Sequence, residues 1–192
     1  MIKKTKKLAL NFKILRFFLI PAFLVSVPSL NNIQDAKARM EFQWGQDDGY
    51  KRLRWFQKEN KRKLRNKIYF FFRPSDRKSD LLKINLVIPK TFKSTLKKDK
   101  ISFCKVRIGG FENRTKCLED IPVDIEIKNE ESGLRSLDIY PYSPIPYNKD
   151  SYAIVIKVFN PKKSGLYQFH SYGQPKGKSA SNYLGSWTIV VN

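Results

Sequence analysis

From Ile68 to the C-terminus the sequence alternates. Ile121, Val123, Ile125 and Ile127 take turns with Pro122, Asp124, Glu126 and Lys128. Leu82, Ile84, Leu86 and Ile88 do the same with Lys83, Asn85 and Val87 until Pro89 stops the run. Tyr152, Ile154, Ile156 and Val158 share one side of another such run. A side-chain period of two fits a strand with one buried face and does not fit a helix. IYFFFR, residues 68–73, is apolar on both sides and reads as a strand covered twice. Turn chemistry separates the runs: Arg73-Pro74-Ser75-Asp76, Asn129 to Gly133, the three-proline stretch 141–150, NPKKSG at 160–165 and the Gly/Ser/Lys stretch 174–182. About eight short strands with no alternating helices predict an all-β fold, an antiparallel β-sandwich of immunoglobulin-like type.

The first forty residues follow different rules. Lys3, Lys4, Lys6, Lys7, Lys13 and Arg16 precede an uncharged, mostly apolar run, Phe17 to Val27, and a polar stretch ends at Ala36-Lys37-Ala38. These are the three parts of a secretory leader. The run is too short for a membrane helix of about 20 residues, and Pro21 and Pro28 flank its second half. Residues 1–38 are therefore read as a signal peptide cut between Ala38 and Arg39, with an uncleaved anchor as the competing reading. Residues 39–192 then form one domain: a basic aromatic segment, 39–67, followed by a β-sandwich core, 68–192. A short strand is read at Met40 to Trp44. Cleavage would remove seven of the 38 basic and one of the 17 acidic residues, leaving a net charge of +15. That bias favours anionic partners, although an AT-rich genome would also fill a chain with lysine.

Cys104 and Cys117 are the only cysteines. Outside the cytosol a pair of thiols oxidises and stays oxidised. One histidine, His170, leaves zinc without a plausible ligand set. If Gly110-Phe111 is a two-residue hairpin loop, Cys104 and Cys117 face each other directly and bridge on the inner face of the sheet. The expectation is a structural disulfide.

Residues 50–67, YKRLRWFQKENKRKLRNK, hold nine basic side chains and one acid, Glu59. Tyr50, Leu53, Phe56 and Leu64 can share a helical stripe with Asp48 as N-cap, so a short basic N-terminal helix or arm is expected. Lys51, Arg52, Arg54, Lys58, Lys61, Arg62, Lys63, Arg65 and Lys67 can hold an anionic polymer by counterion release, with Trp55 and Phe56 as apolar anchors. The structural alternative is that Leu53 and Phe56 cap the sandwich while the charges face water.

Other chemistries are poorly provided for. A nucleophilic triad must recruit His170, and no nucleophile elbow precedes it. The acidic pairs Asp47-Asp48, Glu119-Asp120 and Glu130-Glu131 lie beside turns, where acids are usually solvated. Gly109-Gly110 sits at a hairpin tip and makes no phosphate loop. No cofactor or metal is expected.

Tyr69-Phe70-Phe71-Phe72-Arg73-Pro74, Pro144-Ile145-Pro146, Asn160-Pro161, Gly165-Leu166-Tyr167-Gln168-Phe169 and Tyr183-Leu184-Gly185-Ser186-Trp187 occur in an order and spacing that resembles a family of exported cyanobacterial proteins, catalogued as domain of unknown function 2808. The resemblance spans roughly residues 41–191. It implies an exported, mainly β domain and supplies no activity or site residues. The functional expectation is an exported, non-catalytic envelope module, in the periplasm, thylakoid lumen, cell surface or medium, that binds an anionic envelope polymer or a partner protein. A cell-wall or polysaccharide hydrolase and an extracellular nucleic-acid binder are the alternatives.

Overall fold

The computed structural model describes residues 49–129 and 133–192. The leader at 1–38, its cut between Ala38 and Arg39, the strand read at Met40 to Trp44 and the acidic pairs Asp47-Asp48 and Glu130-Glu131 lie outside the described residues. Ten strands follow in chain order: β1 (Trp55–Gln57), β2 (Arg65–Phe72), β3 (Leu81–Ile88), β4 (Ile101–Arg107), β5 (Lys116–Ile121), β6 (Val123–Asn129), β7 (Arg135–Pro141), β8 (Tyr152–Phe159), β9 (Gly165–Pro175) and β10 (Asn182–Val191). They make two five-stranded antiparallel sheets, ordered β1-β2-β8-β4-β5 and β10-β9-β3-β7-β6. This is the antiparallel β-sandwich that the alternation predicts, with two more strands than expected. One of these is β1, hidden in the basic segment. Another arises at Pro122, which ends β5 in one sheet; β6 starts one residue later in the other sheet. Proline has no N–H for a ladder, so a strand that meets it is free to change sheets.

The core lies between the inner faces. Ile68, Phe70 and Phe72 of β2, Ile154 and Ile156 of β8, and Trp187, Ile189 and Val191 of β10 are all buried there. The Phe70 ring lies 4.9 Å from Trp187 and 5.0 Å from Phe169, and Phe72 meets Trp187 edge-on at 5.2 Å. On β3 the expected inward residue Leu82 is replaced by Leu81, because the register shifts between Leu81 and Lys83. A bulge moves a side chain to the other face without breaking the strand.

The helix expected within 50–67 does not form. Residues 51–53 instead run parallel to β10: the Leu53 N–H donates to the Ser186 carbonyl at 2.8 Å, and the Ser186 N–H donates to the Lys51 carbonyl at 2.7 Å. Residues 55–57 then pair with β2 in the opposite sheet. The segment is an arm that crosses from one sheet edge to the other. Two unpaired strand edges compete with helix formation for its backbone groups, and the edges prevail because each would otherwise leave a row of unmet donors and acceptors. Only Leu53 of the proposed stripe enters the core (1% exposed), while Phe56 and Leu64 stay exposed. Leu53 seats against Gly185, where an added Cβ would lie 2.6 Å from Leu53 Cγ and 2.7 Å from the Lys51 carbonyl oxygen, at φ +142°. Only glycine fits there.

The cysteine hairpin also differs from expectation. Its connection runs over residues 108–115 rather than two residues, and one extra residue between the Lys105–Glu119 and Val106–Cys117 pairs shifts the register. Cys104 therefore opposes Asp120, and Cys117 opposes Val106. The two sulfurs still bond, from Cα atoms 5.7 Å apart. The bridge sits on the outer face of its sheet, with Tyr69, Phe71, Val106, Ala153 and Val155, and not on the inner side. Ile101 and Phe103 are the residues of β4 that point inward. Both faces of this strand are apolar, so alternation alone could not say which one looks into the sandwich.

Candidate functional site

The basic residues of the arm divide into two groups. Arg52 and Arg54 flank Leu53 where the arm docks. The Arg54 carbonyl accepts from the Phe71 N–H at 3.1 Å and from the Trp187 indole at 3.0 Å, so the backbone is held while the guanidinium stays exposed. Lys51 is spoken for: its ammonium donates to the Ser75 carbonyl at 3.0 Å and lies 3.5 Å from the buried Asp76 carboxylate. Trp55 is half-buried against the core.

The second group surrounds the turn between β1 and β2. Lys58, Lys61, Arg62, Lys63 and Arg65 are exposed, and Lys67 is half-buried. Two buried asparagines shape this turn. Asn66 donates to Asn160 at 2.9 Å and accepts from the Glu59 N–H at 3.1 Å; Asn160 donates to the carbonyls of Glu59 at 3.1 Å and Lys61 at 2.8 Å. The Glu59 carboxylate accepts from the Asn60 and Lys61 N–H groups, which commits the one acid of the segment to backbone. The turn is tight enough to hold Lys63 at φ 59°. Arg65 lies over the Phe159 ring at 5.5 Å, and Lys67 over Tyr69 at 4.9 Å.

Pairing adds residues that the linear sequence does not connect with the arm. Lys67 opposes Lys157 across β2 and β8 on the outer face. Like charges set directly opposite weaken a sheet. Among the described residues, none of Arg52, Arg54, Lys58, Lys61, Arg62, Lys63, Arg65, Lys67 or Lys157 ion-pairs with a carboxylate. The signal for Lys157 was its outward phase on β8; the partner strand was not legible. A cleft of about 560 Å³ opens between the arm and the 108–115 loop. Arg52, Arg54, Trp55 and Phe56 form one wall, Phe71 and Arg73 the floor, and Ile108, Gly109 and Thr115 the other wall. Arg73 is engaged by Asp76 through two hydrogen bonds of 3.0 Å.

Residues considered for catalysis are tied into structure. His170 Nδ1 lies 2.7 Å from Ser186 Oγ, which also lies 2.5 Å from the Tyr183 hydroxyl. This resembles part of a nucleophilic constellation, but Ser186 is wholly buried beneath the docked arm. A substrate carbonyl has no path to it, and burial lowers the His170 pKa, keeping the ring neutral at pH 7. Cys104, Cys117 and Asp120 cluster within 4.8 Å. The sulfurs are bonded to each other, which removes them as thiolate ligands. Glu119 and Asp120 are exposed neighbours on β5. Asp138 is buried on the outer face of β7, accepting from Asn85 at 2.6 Å and from Lys83 and Lys128 at 2.9 Å each. Burial pushes this carboxyl up, but the hydrogen bonds from Lys128, Asn85 and Lys83 together outweigh it and hold its pKa at about 2. A carboxylate so saturated is not a general acid or base at neutral pH.

No curated protein matches the sequence. Among solved structures, the chain is similar to BslA, a bacterial hydrophobin, at 10% identity over 74% of this chain and 95% of that one, with a TM-score of 0.44. It is similar to the collagen-binding domain from a Staphylococcus aureus adhesin at 13% identity over 72% of this chain and 96% of that one, TM-score 0.37. It is also similar to the collagen-binding subdomain of an Enterococcus faecalis surface protein at 9% identity over 71% of this chain and 95% of that one, TM-score 0.36. Overlaps this loose carry no activity across. The sequence itself gives the assignment: residues 42–191 match the family described as "Protein of unknown function (DUF2808)", and the chain belongs to that family.

Proposed function

We propose that this chain is an exported, non-catalytic module of a cyanobacterial envelope that holds an anionic envelope polymer along its basic arm and the outer face of β2 and β8. The observation that carries this reading is the excess of unneutralised cations along one arm. Eight of the nine basic side chains between residues 51 and 67 have no carboxylate partner among the described residues, and Lys67 directly opposes Lys157. A repulsive cross-strand pair weakens the fold, and a bound polyanion relieves it. The leader-like residues 1–38 support export. The burial of Ser186 and the saturation of Asp138 support a role without chemistry.

The test is a salt titration of binding to an acidic polysaccharide and to DNA. Binding should weaken steeply with salt, and the quadruple variant K61Q/R62Q/K63Q/R65Q should flatten the log–log slope by roughly three while keeping the wild-type circular dichroism spectrum. Failure of the folded protein to bind either polymer at moderate salt would sink this reading and leave a protein partner as the ligand. Equal binding to both would show that charge alone is recognised.

A further inference from the structure

We infer that the cleft between the arm and the 108–115 loop is a subsite for one acidic sugar residue of that polymer, a uronate whose carboxylate is taken by Arg52 and Arg54. This rests on the polymer reading above and adds a specific ligand to it. Arg52 and Arg54 are exposed guanidiniums that line the cleft, without carboxylate partners among the described residues. A guanidinium presents a planar fork that matches a carboxylate, whereas lysine offers only a point charge. The second group of the arm is mixed Lys and Arg spread around a turn; the cleft is lined by arginine alone among the cations.

The rest of the lining is wrong for a bare anion and right for a sugar. Phe56 and Ile108 provide apolar surface against which the C–H face of a pyranose can lie, and the Thr115 hydroxyl provides polar contact. That hydroxyl already accepts from the Gly109 N–H at 3.0 Å, so its own proton is free to donate to a sugar oxygen. Gly109 permits this closeness: a Cβ there would lie 2.5 Å from the Thr115 nitrogen. A nucleic-acid strand wants successive aromatic platforms along a groove. Among the residues that line the cleft the exposed aromatic surface is a single ring, Phe56, with Trp55 half turned into the core.

The wall that carries Ile108, Gly109 and Thr115 belongs to the loop that the Cys104–Cys117 bridge closes. The bridge and the arm, far apart in sequence, thus hold the two sides of one site. Preorganised walls let binding proceed without ordering a loop.

The experiment measures binding of trigalacturonate, its fully methyl-esterified form and an oligothymidylate to the oxidised full chain at about 0.5 M salt, where the diffuse charge contribution is screened. Trigalacturonate should bind at least about tenfold more tightly than the ester, and R52Q/R54Q should lose roughly tenfold or more, while K97Q/K98Q, at exposed lysines outside the arm and the cleft, stays near wild type. Both variants are first shown to keep the wild-type spectrum. R52K/R54K should recover only part of the loss, because it restores charge without the fork. Wild-type affinity in R52Q/R54Q, equal binding of acid and ester, or tighter binding of the oligothymidylate would each overturn the subsite. The outcomes separate the two proposals. Loss of long-polymer binding at low salt in the turn variant, with no trigalacturonate binding in any protein, would keep the polymer reading and remove the subsite. Trigalacturonate binding without long-polymer binding would do the reverse.

Discussion

Asn160 stands beside a proline in a turn, a place where asparagine usually serves only its own backbone. Here it is buried and reaches across the molecule to Asn66 and to the carbonyls of Glu59 and Lys61, so it sets the shape of a turn a hundred residues earlier. Asn160→Ala leaves the buried Asn66 amide and two part-buried carbonyls without their partner and should lower stability by about 2 kcal/mol, read as a fall in the urea midpoint at unchanged slope. Asp138 is a second case. Its folded pKa, near 2, lies below that of an unfolded aspartate, so the carboxylate contributes stability above about pH 4 that is lost as pH falls through about 2. The contribution is about 2 kcal/mol, and Asp138→Asn should remove the acid limb of the stability–pH profile between those values. Neither role was visible in the sequence. Asn160-Pro161 read as turn chemistry, and nothing in the sequence marked Asp138, because the partners of both come from strands brought near by the fold.

At the scale of elements, β3, β6 and β8 were legible because one-sided burial writes itself as alternation. The arm was not. Its composition is compatible with a helix, and what decides against it is the demand of two sheet edges for backbone partners, which no local pattern records. Leu53→Ala removes the side chain that fixes the crossing. It should lower stability by about 3 kcal/mol and raise hydrogen exchange at Leu53 and Ser186 before the rest of β10. The cysteine hairpin was legible in kind and wrong in detail, since one bulge changes which residues oppose. Cys104→Ser with Cys117→Ser should lower stability by about 3 kcal/mol through the freed loop. That loss should equal the effect of a reductant on the wild type and vanish when a reductant is added to both.

For the molecule as a whole, the positive surface works against the fold that carries it. Lys67 and Lys157 face each other, and most arm cations have no carboxylate partner among the described residues. Simple salt should therefore raise the melting temperature while it weakens polymer binding, the two trends crossing in one titration. Lys157→Gln should raise stability by roughly 0.5 kcal/mol and reduce polymer affinity. Charge was the part of the candidate site that the sequence made plain. Arg73, Phe71 and the loop wall of the cleft were not, because strand pairing assembles them. The arm has a mechanical corollary. Residues 51–53 hang on β10 by parallel hydrogen bonds, with Leu53 lodged in a notch that only a glycine leaves open. Tension applied at residue 49 along the strand direction would load those bonds together in shear rather than peel them one by one, so the module would resist being dragged by its amino end like a hooked clasp.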